Sequence, residues 1–172
     1  PARSGKSQAL RRLATALAAQ EGLEVTVVLA GVRPEEAAEW QQDGPVKPIA
    51  ALSFAASGDA QAQAVERAVD TARRLAARGG DAVLLIDSLD DLPQPAARKA
   101  LAAARNIAGG GSLTVIATAS QPIGGETTVI ALDAALTAAA SFPALDLAAS
   151  GTLRPELLVG EAGAREIAKA RG

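Results

Sequence analysis

Apolar and polar positions along this chain fall into two alternating patterns. Glu24–Ala30 (EVTVVLA), Ile49–Phe54, Ala82–Ile86 (AVLLI) and Leu113–Ala119 (LTVIATA) are short apolar runs rich in β-branched residues. They lack strict two-residue polar alternation, which predicts strands buried on both faces. Between them Lys6–Gln20, Pro34–Gln42, Ala60–Arg78 and Pro95–Ile107 read as helices. Pro34 and Pro95 each suit a first helical turn, where no N–H partner is needed. Gly79-Gly80 and Gly109-Gly110-Gly111 sit where helices should stop. This alternation predicts βαβ units, hence an α/β fold with a mostly parallel sheet flanked by helices. Beyond Ser120 the pattern weakens. Thr127–Leu132 reads as a further strand, Leu132–Ala140 as helix, and Arg154–Leu158 and Ala162–Arg171 as short terminal helices. No repeat or linker marks a second domain, so residues 1–172 are expected to form one.

Composition narrows the chemistry. Ala supplies much of the 49% hydrophobic share, and the aromatics are Trp40, Phe54 and Phe142, so the core is expected to be aliphatic. The chain has no Cys and no His, which excludes disulfides, thiolate metal sites and the commonest general base. Lys, Arg, Asp, Glu and Ser remain, a set suited to phosphoryl work with Mg²⁺. The net charge of −2 gives no support for sequence-independent RNA or DNA binding, which needs a basic excess. No run reaches the ~18 apolar residues of a membrane span. With no signal peptide visible either, the chain reads as cytoplasmic.

The opening PARSGKSQALRRL contains Gly5-Lys6-Ser7, the core of a phosphate-binding loop G-x-x-x-x-G-K-[ST]. Gly5 lets the backbone curl so that its N–H groups face phosphates. Lys6 would reach the β- and γ-phosphates, and Ser7 would offer its hydroxyl to Mg²⁺. Arg3, Ser4 and Gln8 complete the candidate nucleotide-binding set, and the helix start aims its positive end at the anion. The motif's first position and its feeding strand would fall before Pro1. The chain is therefore expected to be truncated or part of a longer one, its upstream strand lying in mid-sheet beside the acidic strand. That acidic strand is AVLLIDS, whose tip Asp87 would hold Mg²⁺ against ATP or ADP. Asp90 and Asp91 follow, either as supporting groups or as a solvated acidic turn.

Three segments together resemble the ATPase domain of transcription termination factor Rho. They are Arg33-Pro34-Glu35-Glu36; Ala103-Ala104-Arg105-Asn106-Ile107 with Gly110–Ala119; and Phe142–Asp146 with Ser150-Gly151-Thr152 and Glu156-Leu157-Leu158. The resemblance covers almost the whole chain and implies a RecA-like P-loop NTPase, kin to RecA and the rotary ATPases. It further implies a ring-shaped homo-oligomer with ATP between subunits, and RNA and RNA polymerase as partners. In that family loops in the central hole grip RNA, and an N-terminal OB-type domain captures it.

The same resemblance exposes departures. The family's water-activating carboxylate would fall at Val32, preceded by Gly31. Its arginine finger, worth ~10³–10⁵ in rate, would fall at Ala149. Arg33 and Glu35 remain as accessory groups, and Glu36 and Arg154 lie nearby. The RNA-gripping loops are trimmed to Leu89–Ala97 and Gln121–Glu126, with no basic pair and no aromatic. The chemistry favours a Rho-like nucleotide-binding or assembly module with impaired hydrolysis. An active ATP-driven RNA translocase is the alternative, and a structural domain that binds no nucleotide is the third.

Overall fold

The computed structural model describes residues 4–42 and 44–171. They divide into two compact units, Lys6–Gly125 and a second formed by residues 126–171 with Ser4 and Gly5.

The larger unit runs α1 (Lys6–Ala18), β1 (Leu23–Val32), α2 (Pro34–Gln42), β2 (Ala50–Ser53), α3 (Gly58–Ala77), β3 (Asp81–Asp87), α4 (Gln94–Leu101), β4 (Arg105–Asn106) and β5 (Ser112–Ala117). Its sheet has the order β2-β1-β3-β5-β4, parallel except for the short β4. The run Val27–Ala30 is fully shielded, as are Leu84, Leu85 and Ile86. These are strands covered on both faces, which is why their sequence shows no polar alternation.

Two apolar clusters follow from the pleat. Val28, Ala30, Leu84 and Ile86 meet the Ala- and Val-rich face of α3 and the Ala97–Ala100 side of α4. Val27, Leu29, Val83 and Leu85 meet Leu10 and Ala14 of α1 and Trp40 of α2. Small alanines let α3 lie close over the sheet. Its start is capped by Ser57, whose Oγ accepts from the Ala60 N–H at 3.2 Å.

The helix expected over Pro95–Ile107 ends at Leu101. Arg105 and Asn106 instead pair antiparallel with Leu113 and Ser112. Gly109 makes the turn at φ +71°, and the Ile107 N–H donates to the Gly111 carbonyl at 2.9 Å. The three glycines therefore close a strand turn and do not end a helix. The place beside β3 that the sequence reserved for an upstream strand is also filled. β1 and β5 flank β3 through most of its length.

The smaller unit contains β6 (Thr128–Leu132), α5 (Ala134–Ala138), β7 (Leu145–Thr152) and α6 (Glu156–Arg171). β6 and β7 form a two-stranded antiparallel sheet. Asp133 caps α5 by accepting from the N–H groups of Ala135 and Leu136 at 2.7 and 2.9 Å. α6 breaks at Gly160, at φ +70°, giving the two short helical pieces that the sequence predicts. β7 was not foreseen as a strand.

Candidate nucleotide site

The tips of β1, β3 and β5 are held together at one end of the sheet. The Ser88 N–H donates to the Ala30 carbonyl at 3.0 Å, the Thr118 N–H to Ile86 at 3.0 Å, and the Leu89 N–H to Thr118 at 2.9 Å. Asp87, the last residue of β3, is only 3% exposed. A buried carboxylate needs donors to offset its lost hydration. Asp87 has three. Thr118 Oγ1 donates to Oδ1 at 2.7 Å, Ser7 Oγ donates to Oδ1 at 3.1 Å, and the indole Nε1 of Trp40 donates to Oδ2 at 3.2 Å. They come from three places in the chain: α1, α2 and the segment after β5.

Lys6 and Ser7 open α1, both half-buried, while Gln8 beside them is exposed. Gly5 precedes them at φ +78°, a conformation open to glycine, and a β-carbon there would come within 2.7 Å of the Phe142 ring. The Ser4 carbonyl accepts from Thr137 Oγ1 at 3.1 Å. Arg3 lies outside the described residues. Ser7 spends its proton on Asp87, so its oxygen keeps lone pairs for a cation. A carboxylate beside a hydroxyl is a hard oxygen pair, the chemistry Mg²⁺ takes. Among the described residues no group of three or more His, Cys, Asp or Glu gathers to hold a metal. The residues fit a cation whose remaining ligands are phosphate and water.

The tip of β1 differs from expectation in detail. Gly31 has φ +74°, and the β1–β2 register shifts between Ala30 and Val32. That irregularity turns Val32 into the cluster of Leu10, Leu29 and Trp40, where it is 5% exposed. Valine here is a core residue. A β-carbon on Gly31 would collide with the carboxylate of Asp91, an exposed residue reaching over from the loop after β3. Glu36 is engaged as a helix cap, accepting the Arg33 N–H at 3.0 Å through Oε2. Arg33 and Glu35 are exposed.

The segments that follow β3 and β5 meet. Asp90 accepts from the Ser120 N–H at 2.7 Å and from its Oγ at 2.8 Å, and Arg98 Nε donates to the Ile123 carbonyl at 3.1 Å. In the smaller unit Ala149 is exposed on β7, its N–H donating to Asp146 Oδ1 at 3.0 Å. Arg154 is paired with Glu156, and that hydrogen bond holds the Glu156 carboxyl below its ordinary range.

Trp40 and Thr118 are the members of this arrangement that sequence reasoning missed; Asp91 it named as a supporting group or part of an acidic turn, without its approach to Gly31. A signal existed for the two that were missed. A lone Trp on the inner face of an amphipathic helix needs an acceptor for its N–H, and Thr118 is a polar residue in an apolar strand run.

No family model matches the chain. Curated relatives do. The chain is 33% identical to transcription termination factor Rho of Streptosporangium roseum, over 92% of this chain and 51% of that protein. It is 31% identical to Rho of Chromobacterium violaceum over 92% of this chain and 46% of the relative. Rho of Mycobacterium bovis is also 31% identical over 92% of this chain, which spans 32% of it. The chain thus spans about half or less of these relatives. Among solved structures, an ATPase from the type III secretion system of pathogenic bacteria superposes with a TM-score of 0.74 at 18% identity, covering 99% of this chain and 60% of that one. The RecA-like α/β fold and the resemblance to Rho both stand.

Proposed function

We propose that this chain is the nucleotide-binding part of a Rho-like protein, holding Mg²⁺ with ATP or ADP while hydrolysing slowly or not at all. The observation that supports it best is the Ser7–Asp87 hydrogen bond of 3.1 Å at the start of α1. It joins the two residues, 80 apart in sequence, that a phosphate-bound cation needs. In this reading the backbone around Gly5 and the N-terminus of α1 receive the phosphates. Ser4, Lys6 and Gln8 surround them, Lys6 supplies charge, and Ser7 and Asp87 face the cation, which would neutralise developing phosphate charge.

Cleavage also needs an oriented water and charge stabilisation in the transition state. The position expected for the first holds a core valine, Val32, and that for the second holds Ala149. By likeness to Rho the chain would assemble with further copies of itself and serve transcription termination, with RNA and RNA polymerase as partners. Its trimmed loops and net charge of −2 supply little RNA grip of their own. A cytoplasmic setting agrees with that role, and no described helix is long and apolar enough to cross a membrane.

One observation favours a second reading, in which the chain turns ATP over. The Asp91 carboxylate lies at Gly31, one residue from the place where the family's water-activating group would fall.

Binding and turnover measured separately decide between these readings. Calorimetry should show ADP binding in Mg²⁺ that Lys6→Ala removes, and ATP turnover of the parent should equal that of Lys6→Ala. Turnover well above the Lys6→Ala level, lost in Asp91→Asn, establishes the second reading. Equal ADP affinity in parent and Lys6→Ala, or none in either, sinks both.

A further inference from the structure

Trp40 is the sole tryptophan of the chain and is 3% exposed. Its ring packs among Leu10, Val27, Leu29 and Val32, which fixes the plane of the indole. Its N–H is directed at Oδ2 of Asp87 across 47 residues of sequence, at 3.2 Å. The other carboxylate oxygen takes both hydroxyls, Thr118 at 2.7 Å and Ser7 at 3.1 Å. The two oxygens are therefore held from different sides. Without the indole, Oδ2 would lose the side-chain donor that holds it, and the carboxylate would be freer to turn about its Cβ–Cγ bond.

We propose that Trp40 is the positioning residue of the cation site: its indole N–H fixes the rotation of the Asp87 carboxylate so that Asp87 and Ser7 face one Mg²⁺–phosphate group together. The inference rests on the nucleotide-binding reading above. An outer partner that orients a metal-facing carboxylate typically contributes 10- to 100-fold to metal affinity. A polar N–H in this apolar cluster would otherwise be costly, so its retention is accounted for by the carboxylate it serves. Because Trp40 is also the only indole chromophore, the site carries its own reporter.

The test uses the full chain and three forms of residue 40: the native indole, Trp40→Phe, and the benzothiophene isostere of tryptophan, which keeps the bicyclic shape and lacks the N–H. ADP affinity is measured by calorimetry in EDTA and in Mg²⁺, with tryptophan emission followed in the native form and circular dichroism confirming folding. We expect the native emission to shift with ADP plus Mg²⁺ and to stay constant with ADP in EDTA. We expect all three forms to bind ADP alike in EDTA, while both replacements lose about 10- to 100-fold of the Mg²⁺ dependence. An isostere that keeps the full Mg²⁺ dependence overturns the proposal and assigns Trp40 to packing alone. Failure of the native chain to bind ADP under either condition overturns the nucleotide reading itself, and the proposal with it.

Discussion

In the unit Lys6–Gly125, Leu29, Leu84, Leu85 and Ile86 are completely shielded from solvent; in the unit that closes the chain, Leu147, Leu153, Leu157 and Leu158 are 68–72% exposed. The residues are of one chemical kind and the two fates differ because of layers. The larger unit has a five-stranded sheet with helices on both faces, so the middle residues of its central strands β1 and β3 find cover on both sides. The smaller unit has two strands, and neither α5 nor α6 buries a residue. A two-stranded sheet with one uncovered face carries little stability of its own. The difference also sorts the chemistry. Asp87, with three donors, sits in the unit that can hold a buried carboxylate in one geometry. Ala149, at the position where an arginine finger would be sought, sits on an exposed strand of the other.

The largest expected effect tests the core side of this contrast. Leu84→Ala removes a side chain packed between α3 and the sheet, and should cost about 2–5 kcal/mol in urea unfolding. Leu157→Ala, at a residue 72% exposed, should stay within about 0.5 kcal/mol. Similar losses at both positions would mean that the smaller unit has a core that its burial does not reveal. Native-state hydrogen exchange sharpens the same contrast. Amides of β1 and β3 should exchange only through the slowest, global opening, and those of β6 and β7 through faster local opening. Equal protection across the four strands would erase the distinction.

The sequence was most informative where physical constraint was greatest. β1 and β3 announce themselves as apolar runs, because strands covered on both faces admit little else; β2 was found from the same pattern, but its positions alternate half-buried and exposed, so burial on both faces does not hold there. α2 starts at Pro34 as expected, and Gly160 splits the last helix where the pattern predicted two pieces. The end of α4 was illegible, because Ala103–Ile107 has helical composition and only its pairing with Ser112 and Leu113 makes it a strand. β7 was missed for a related reason: LDLAASGT has weak strand character, and its partner in β6 defines it. At the site, the ends were legible and the support was not. Lys6, Ser7 and Asp87 belong to local motifs. The Trp40–Asp87 bond and the Asp91–Gly31 approach span 47 and about 60 residues, so they exist only once the sheet has formed.

The smallest expected effect compares one ion pair from each unit. Lys99 hydrogen-bonds Glu66 and so holds its carboxyl below the ordinary value of 4.5, with a further contribution from Arg73. Arg154 does the same to Glu156. A carboxyl depressed in the folded state contributes stability that is present above its unfolded pKa and lost as pH falls through the folded one. Both pairs therefore lend what they have at neutral pH and lose it below about 4.5. They differ in reach. Glu66 and Lys99 are 33 residues apart and join α3 to α4, so unfolding separates them. Arg154 and Glu156 are two residues apart and remain neighbours in the unfolded chain, which narrows the difference between the states. Melting temperatures taken from neutral pH down through 4.5 should fall for the parent, fall slightly less steeply for Lys99→Ala, and follow the parent for Arg154→Ala. Both pairs are exposed, so 1 M salt should remove the distinction. An Arg154→Ala curve that flattens more than that of Lys99→Ala would place the acid-sensitive contact in the smaller unit and reverse the ranking of the two units.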